Sequence, residues 1–282
     1  MELSALVLLM VIPVSLAGED LEGKMFIFSK KTNIDHVILK PTTTTPLEKV
    51  SVCLHYHCQL SRPYSLFSMA FSVANNALLI VIQPPNVCSI YINQVVTIIL
   101  IDPGSLYWIP LCVTWGSDTG ELHVWVNGTH YPGGVLLKGS SITSDTSIVL
   151  GQGQDTFGGA SHKKFPPLHI PKIPPWQGLK NDSPCLLQSS RAEIGEGSSI
   201  AAETSIILGQ DQDTFGGGFD ASQSFVGEIS DVNMWDYVLT PEHIQKVGSG
   251  DLHGNLINWN SIVYEIKEDV LVQEKLHPKS AI

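Results

Sequence analysis

Glu121-Leu-His-Val-Trp-Val-Asn127-Gly128 is the stretch of this 282-residue sequence that most directly indicates its fold. Leu122, Val124 and Val126 recur at every second position, which is the pattern of a β-strand with one buried face. Asn127-Gly128 is the dipeptide that most strongly favours a two-residue β-hairpin turn. The stretch therefore predicts an antiparallel hairpin.

Short apolar and β-branched runs separated by turn residues continue this pattern along the chain. Examples are Met25–Phe28, Val50–Tyr56, Leu66–Val73, Leu78–Ile82, Val95–Ile101, Leu122–Val126 and Ser205–Leu208. The apolar stretch from Ala77 to Ile101 contains Pro84-Pro85 and several amide side chains, so it predicts strands and turns and no membrane span. Because strands do not alternate with helices, an antiparallel all-β fold is favoured over a doubly wound α/β fold.

One short helix is predicted near the C-terminus. Thr240 is a suitable cap residue, and Pro241 suits the first helical position. Ile244 and Val247 form an apolar stripe, and Gly248 is expected to stop the helix.

The charge balance and the N-terminus restrict the class of protein. The formal net charge is −11 and no stripe of Lys and Arg is present, so nucleic acid is not an expected partner. Residues 1–17 contain an apolar run that ends in Ser15-Leu16-Ala17. This pattern predicts a signal peptide and a secreted, extracellular protein. In an oxidising compartment the five cysteines become candidates for disulfide bonds, with at least one left over.

An internal repeat occurs at an offset of 58 residues. Residues 141–159 match residues 199–217 at 14 of 19 positions. The segment 160–197 between the copies is rich in Pro, Gly and Ser and lacks an apolar period, so it is interpreted as an insert. The second copy continues into Asp220-Ala-Ser-Gln223, whereas the first has Gly153 at the position equivalent to Asp211.

The second copy is dense in hard oxygen donors. Asp211, Asp213 and Asp220 supply carboxylates, and Gln212 and Gln223 supply carbonyl oxygens. Ca²⁺ takes six to eight such oxygens, and the neighbouring glycines allow the backbone to gather them, although the spacing is not that of an EF-hand. An acidic, Gly-rich loop can equally be a solvated turn, so spacing alone leaves both interpretations open.

The segment from Ser205 to Asp236 closely resembles the calcium loop and following strand of the pentraxin family. Cys112-Val-Thr-Trp-Gly-Ser117 resembles the family signature, with Pro110 where the signature normally has His. The resemblance covers most of residues 20–275 and implies one lectin-like, two-sheet antiparallel jelly-roll sandwich with one α-helix. It also implies a non-enzymatic recognition protein of innate immunity that assembles as a homo-oligomer.

By the family pattern, two calcium ions bind side by side in each subunit. Their implied ligands are Asn75, Asn76, Asp211, Gln212, Asp213, Asp220 and Gln223. Asn75 replaces a charged family ligand, and Asp211 and Asp220 replace longer Glu side chains. Because ligand charge and reach set calcium affinity, we expect weaker binding than the family pattern gives. The first repeat copy is then a spare strand.

The resemblance also implies a disulfide bond between Cys53 and Cys112. Cys58, Cys88 and Cys185 remain, and they are free, paired with each other or linked to another chain. Cys53, His55 and His57 share one strand face and include zinc-type ligands, but without Cys53 the two histidines lack a third ligand close by. Asn127-Gly-Thr129 is a glycosylation sequon in the predicted hairpin.

The expected assembly is a homopentamer that binds phosphate-bearing or carbohydrate-like ligands. Val81 and Val96 occupy positions where the family's phosphocholine site has an aromatic wall and an acidic side chain, which argues against phosphocholine as a ligand. Two alternatives stay open. One is a poorly functional product caused by the insertion, and the other is a glycan-acting jelly-roll enzyme, which lacks obvious catalytic acids outside the calcium set.

Overall fold

The structure is a computed structural model that describes residues 20–41, 46–71, 77–142, 146–151, 206–210 and 220–275. In this part of the chain it consists of two β-sheets and one short helix. The strands are β1 (Lys24–Phe28), β2 (His36–Lys40), β3 (Lys49–His57), β4 (Tyr64–Phe71), β5 (Leu78–Gln83), β6 (Val87–Ile92), β7 (Val95–Leu100), β8 (Ile109–Gly116), β9 (Glu121–Val126), β10 (Thr129–Val135), β11 (Thr146–Gly151), β12 (Ile206–Gln210), β13 (Gly227–Trp235), β14 (Val263–Lys267) and β15 (Leu271–Glu274). The helix α1 spans Pro241–Gly248.

The strands form one seven-stranded and one eight-stranded sheet. The orders are β10-β9-β8-β3-β13-β1-β15 and β14-β2-β12-β11-β4-β5-β6-β7. Among the described strand pairs, all are antiparallel except β11 with β12. The predicted all-β sandwich with one helix is confirmed.

The core lies between the two sheets and is rich in aromatic side chains. Phe26 of β1 packs edge to face against Trp259 and Tyr264, with ring centroids 5.3 and 5.2 Å apart. Trp115 of β8 is fully buried, and its indole Nε1 donates to the Leu136 carbonyl at 2.8 Å. Large apolar rings with one satisfied polar group supply much of the burial that holds a two-layer fold together.

The hairpin predicted at Asn127-Gly128 is present between β9 and β10. Asn127 and Gly128 have φ angles of 50° and 76°, so both turn residues adopt the left-handed conformation that such two-residue turns require. In the turn, Thr129 faces Val126 and His130 faces Trp125.

The helix also begins where the sequence predicts. The Thr240 hydroxyl accepts from the His243 amide, and Ile244 is buried. Ile244 packs on a small cluster in the seven-stranded sheet that includes Cys53, Cys112 and Trp235. The helix ends at Gly248, as the sequence predicts, and a residue with positive φ follows at Gly250.

The described strands of the two repeat copies lie side by side in the eight-stranded sheet. β11 comes from the first copy and pairs with β4, and β12 comes from the second copy and pairs with β2. They pair in parallel with Ile148 opposite Ile206, an offset equal to that of the repeat. The two strands have nearly the same sequence, and the sheet contains both of them as one parallel pair.

No helix in the described residues is long and apolar enough to cross a membrane. The predicted signal peptide at 1–17 and the predicted insert at 160–197 lie outside the described residues.

Candidate functional site

The described part of the predicted calcium site is the turn from Asp220 to Gln223, which leads into β13. The Asp220 carboxylate accepts from the Ser222 amide at 2.8 Å and from the Ser222 hydroxyl at 2.7 Å. The Gln223 amide donates to the Asp220 carbonyl at 3.0 Å. This local hydrogen bonding is typical of Asp in turns, and it places the two predicted ligands next to each other.

Gln223 has a buried side-chain oxygen at this turn. Its side chain is 8% exposed, and its Oε1 is buried without a hydrogen-bond donor among the described residues. An unsatisfied buried oxygen of this kind costs about 1–3 kcal/mol. Amide and carboxylate oxygens are the donors that Ca²⁺ prefers, so Gln223 and Asp220 fit a calcium ion.

Arg62 stabilises this turn from the strand β4 side. Its guanidinium donates at 3.1 Å to the carbonyl of Ser222, and it also reaches the carbonyl and hydroxyl of Ser224. Guanidinium groups suit this role because their donors lie in a rigid plane. The position of Asp220 and Gln223 is therefore fixed by the fold as well as by local hydrogen bonds.

The other predicted ligands, Asn75, Asn76, Asp211, Gln212 and Asp213, lie outside the described residues. Asp155, the first-copy equivalent of Asp213, does too. Among the residues that are described, no group of three or more His, Cys, Asp and Glu side chains is placed to hold a metal ion.

The predicted disulfide bond between Cys53 and Cys112 is confirmed. The two residues face each other on β3 and β8, with Cα atoms 4.1 Å apart and an S–S bond of 2.07 Å. Cys58 and Cys88 are free thiols, whereas Cys185 lies outside the described residues. Burial raises the pKa of Cys58 and raises the pKa of Cys88 to about 12, so both thiols are poor nucleophiles.

A charged cluster around Asp231 was not predicted from the sequence. The Nδ1–H of His55 donates to the Asp231 carboxylate at 2.8 Å, and Lys275 forms an ion pair with the same oxygen. The Lys275 ammonium also lies 4.6 Å from the centre of the Trp108 ring. Burial favours a raised pKa for Asp231, but the His55 hydrogen bond and the Lys275 charge outweigh it and hold the pKa well below its usual range.

Asp231 lies at an irregularity in β13, and this explains why sequence patterns missed it. The pairing of β13 with β3 shifts register between Ser230 and Asn233, and Asp231 has a φ angle of 55°. A bulge of this kind redirects one side chain out of the strand alternation. The sequence of β13 does not single out Asp231, because Glu228, Ser230 and Asn233 in the same strand are polar as well.

The two histidines of β3 that were considered as zinc ligands make other contacts. His55 binds Asp231, and His57 stacks on Tyr107 with ring centroids 3.7 Å apart. A cavity of about 200 Å³ lies between α1 and this sheet, lined among others by His55, Trp125 and Ile244. Ligand pockets usually measure about 300–1,000 Å³, so this cavity is a weaker candidate than the Asp220 turn.

The amide nitrogen of Asn127, the predicted glycosylation site, donates to the carbonyl of Pro103, and its side-chain oxygen is buried. Glycosylation of the folded chain would have to break this contact, and use of the site stays a prediction. Val81 is 1% exposed and Val96 is partly buried, so both present aliphatic side chains at the positions considered for phosphocholine.

Together, the two antiparallel sheets, the helix laid on one of them and the oxygen-lined turn define a lectin-like β-sandwich with a candidate cation site. A sequence model of the Pentaxin family matches residues 24–165 and 187–274. The chain belongs to the Pentaxin family.

Curated relatives and a solved structure agree with this assignment. The chain is 38% identical to the C-reactive protein of Xenopus laevis over 94% of this chain and 89% of that protein. It is 31% identical to the serum amyloid P-component of Bos taurus over 94% of this chain and 93% of that protein. The native heptameric SAP-like pentraxin from Limulus polyphemus has the same fold, with a TM-score of 0.61 and 18% identity over 90% of this chain and 96% of that chain. The relatives are recognition proteins, so the chain is not an enzyme.

Proposed function

We propose that this pentraxin is a secreted pattern-recognition protein whose ligands bind through two calcium ions in each subunit. The ions are held by Asn75, Asn76, Asp211, Gln212, Asp213, Asp220 and Gln223. Asp211 and Asp213 bridge both ions, the two asparagines complete the first, and Asp220 and Gln223 complete the second. Secretion rests on the predicted signal peptide at 1–17.

The buried Oε1 of Gln223 is the observation that carries this proposal. It is an oxygen ligand held in place beside Asp220 without a donor among the described residues. A carboxamide buried for packing alone would lose free energy at this position, whereas a cation at the turn satisfies it.

The ligands follow from the chemistry of the ions. Calcium bound on one face attracts an anionic group of the ligand, so phosphate-bearing and carbohydrate-like ligands are the proposed classes. Aliphatic Val81 and Val96 offer a quaternary ammonium no aromatic face and no charge, so phosphocholine is disfavoured. Several weak sites act together in a ring, which raises the overall avidity. The Limulus relative is a heptamer, and we propose a closed ring of five subunits here.

A matched pair of variants tests the calcium site. Asp213→Ala removes a carboxylate shared by both ions, so we expect calorimetry to show loss of both. Asp155→Ala changes the equivalent residue of the first repeat copy and should keep the wild-type stoichiometry. Asp220→Ala should lose only the second ion. Equal stoichiometry in wild type and Asp213→Ala would refute the site.

Ligand dependence on calcium is tested with immobilised phosphate-bearing and carbohydrate ligands, with calcium or with a chelator. Binding that survives the chelator contradicts the mechanism. Secretion yield from cultured cells separates this function from the alternative of a poorly folding product. A protein retained in the cell would favour that alternative.

A further inference from the structure

Two histidines meet on the hairpin formed by β9 and β10. The Nδ1 of His123 and the Nε2 of His130 are 3.0 Å apart. In the strand register His123 faces Pro132 and His130 faces Trp125, so the two histidines are diagonal neighbours. Diagonal pairs of long or aromatic side chains can touch across an antiparallel pair.

The surroundings hold both rings in this position. Trp125 is 8% exposed, and its ring lies 4.9 Å from the His130 ring and 5.8 Å from the His123 ring, measured between centroids. β10 is the last strand of its sheet, which suits Pro132 because an edge strand does not need its amide. His130 itself is exposed, so a solute can reach the pair.

The distance between the nitrogens is close to what a shared metal ion needs. Zinc binds imidazole nitrogen at about 2.0–2.1 Å in a tetrahedral arrangement, which places two such nitrogens about 3.3 Å apart. To chelate a metal, the two rings have to rotate so that both nitrogen lone pairs point to the ion and no longer along the line that joins the two nitrogens.

Glu121 adds the third feature of such sites. Its Oε2 lies 3.8 Å from the Nε2 of His123, which is beyond hydrogen-bond distance, so the exposed Glu121 side chain has to move closer to bind this nitrogen. In metal sites the ligating histidine usually directs its other ring nitrogen towards a carboxylate, which fixes the tautomer and strengthens the ligand. With a proton on Nε2, the Nδ1 of His123 accepts a hydrogen bond from the Nε2–H of His130, so a metal ion binds both nitrogens by displacing that proton of His130.

We propose that His123 and His130 bind a transition-metal ion of the zinc class through Nδ1 and Nε2, respectively. Imidazole ligands select Zn²⁺, Ni²⁺ and Cu²⁺ over Ca²⁺. Among the described residues no third His, Cys, Asp or Glu completes a cluster, so water fills the remaining positions and the site is open. The strands β8 and β3 lie between this hairpin and β13, which follows the Asp220 turn, so the histidine pair is separate from the described part of the proposed calcium site.

The test is a calorimetric titration with Zn²⁺ in buffer containing millimolar calcium, which occupies oxygen sites in advance. We expect His123→Ala and His130→Ala each to lower zinc affinity at least tenfold. His253→Ala, which removes an exposed histidine elsewhere, is the control and should leave zinc affinity unchanged. Glu121→Gln should lower the affinity about tenfold, as loss of an outer carboxylate usually does.

Quenching of tryptophan fluorescence by Cu²⁺ gives a second readout, because Trp125 lies beside His130. His130→Gln is the variant of choice for this measurement, since an exposed side chain can be replaced without disturbing the fold. Near-ultraviolet circular dichroism checks that each variant is folded. Unchanged zinc affinity in folded His123→Ala or His130→Gln would overturn the proposal, as would equal loss in His253→Ala.

Discussion

Replacing Asp231 with Asn tests whether the cluster of Asp231, His55 and Lys275 stabilises the seven-stranded sheet. Asn has nearly the same shape and tolerates the left-handed φ of 55° at this position, so the substitution removes charge without adding backbone strain. It leaves the imidazole of His55 and the ammonium of Lys275 without a carboxylate partner.

The magnitude follows from the contacts and the exposure. Hydrogen bonds to charged groups contribute about 1.5–3 kcal/mol each, and the Asp231 carboxylate accepts from His55, Lys275 and the Ser230 hydroxyl. The Asp231 side chain is 33% exposed, so solvent screens part of this, and the Asn oxygen keeps one weaker acceptor. We expect a loss of about 2 kcal/mol, which lowers Tm by about 4–8 °C in a chain of this size.

The pH dependence separates this mechanism from a simple packing defect. The folded-state pKa of Asp231 lies below its unfolded value of about 3.9, so the carboxylate stabilises the fold fully above about pH 4. Its contribution is lost as the pH falls through the folded-state pKa. The difference between wild type and Asp231→Asn should therefore be full at pH 7 and shrink below about pH 4.

Urea unfolding followed by tryptophan fluorescence at several pH values measures this difference. Asp269→Asn is the matched control, because Asp269 pairs with Lys30 but its side chain is 69% exposed. Exposed ion pairs contribute about 0–1 kcal/mol, so the control should change little. A loss in Asp231→Asn that equals the control, or one that does not depend on pH, would show that the reasoning is wrong.

Three further predictions concern stability. Replacing Cys53 and Cys112 together by Ala should lower the free energy of unfolding by about 4 kcal/mol in the chain-entropy model for a sequence separation of 59, and urea unfolding that shows under 1 kcal/mol contradicts it. Gly227→Ala should destabilise by several kcal/mol, because a Cβ there lies 2.3 Å from the carbonyl oxygen of His57 and the φ is 150°; an unchanged Tm rejects this. Deleting 160–197 with the first repeat copy should raise secretion yield and keep calcium binding, and loss of calcium binding would assign the site to the deleted copy.

The sequence was sufficient to predict those secondary-structure elements that are determined by a local residue pattern. Alternation from Leu122 to Val126 with Asn127-Gly128 predicted the hairpin, and Thr240-Pro241 predicted the start of the helix. β2 and β14 were not predicted from apolar runs. β2 has only three consecutive apolar residues, between His36 and Lys40, and the apolar residues of β14 are interrupted by Glu265. Such short or interrupted runs do not stand out as strands in a single sequence.

The site was only partly predictable, for a different reason. The resemblance to pentraxins supplied Asp220 and Gln223 by position, but the burial of the Gln223 oxygen depends on how the turn packs. The contact of His123 with His130 depends on a diagonal register across the hairpin, and the Asp231 cluster depends on a bulge. Each of these is set by the pairing of distant segments, which a single sequence does not state.

The duplicated segment bears on whether this chain folds at all. A parallel pair needs a crossover of about a dozen residues or more, and 54 residues, 152–205, connect β11 to β12. Compared with a twelve-residue connection, this longer one costs about 1 kcal/mol of extra loop-closure free energy. That cost is small beside the usual stability of about 5–15 kcal/mol. The disulfide bond, the helix and the Asp231 cluster all belong to the seven-stranded sheet, whereas the described strands of the repeat, β11 and β12, belong to the other sheet. We therefore expect the duplication to lower the stability of the fold only slightly. This expectation favours a folded recognition protein over a misfolded product.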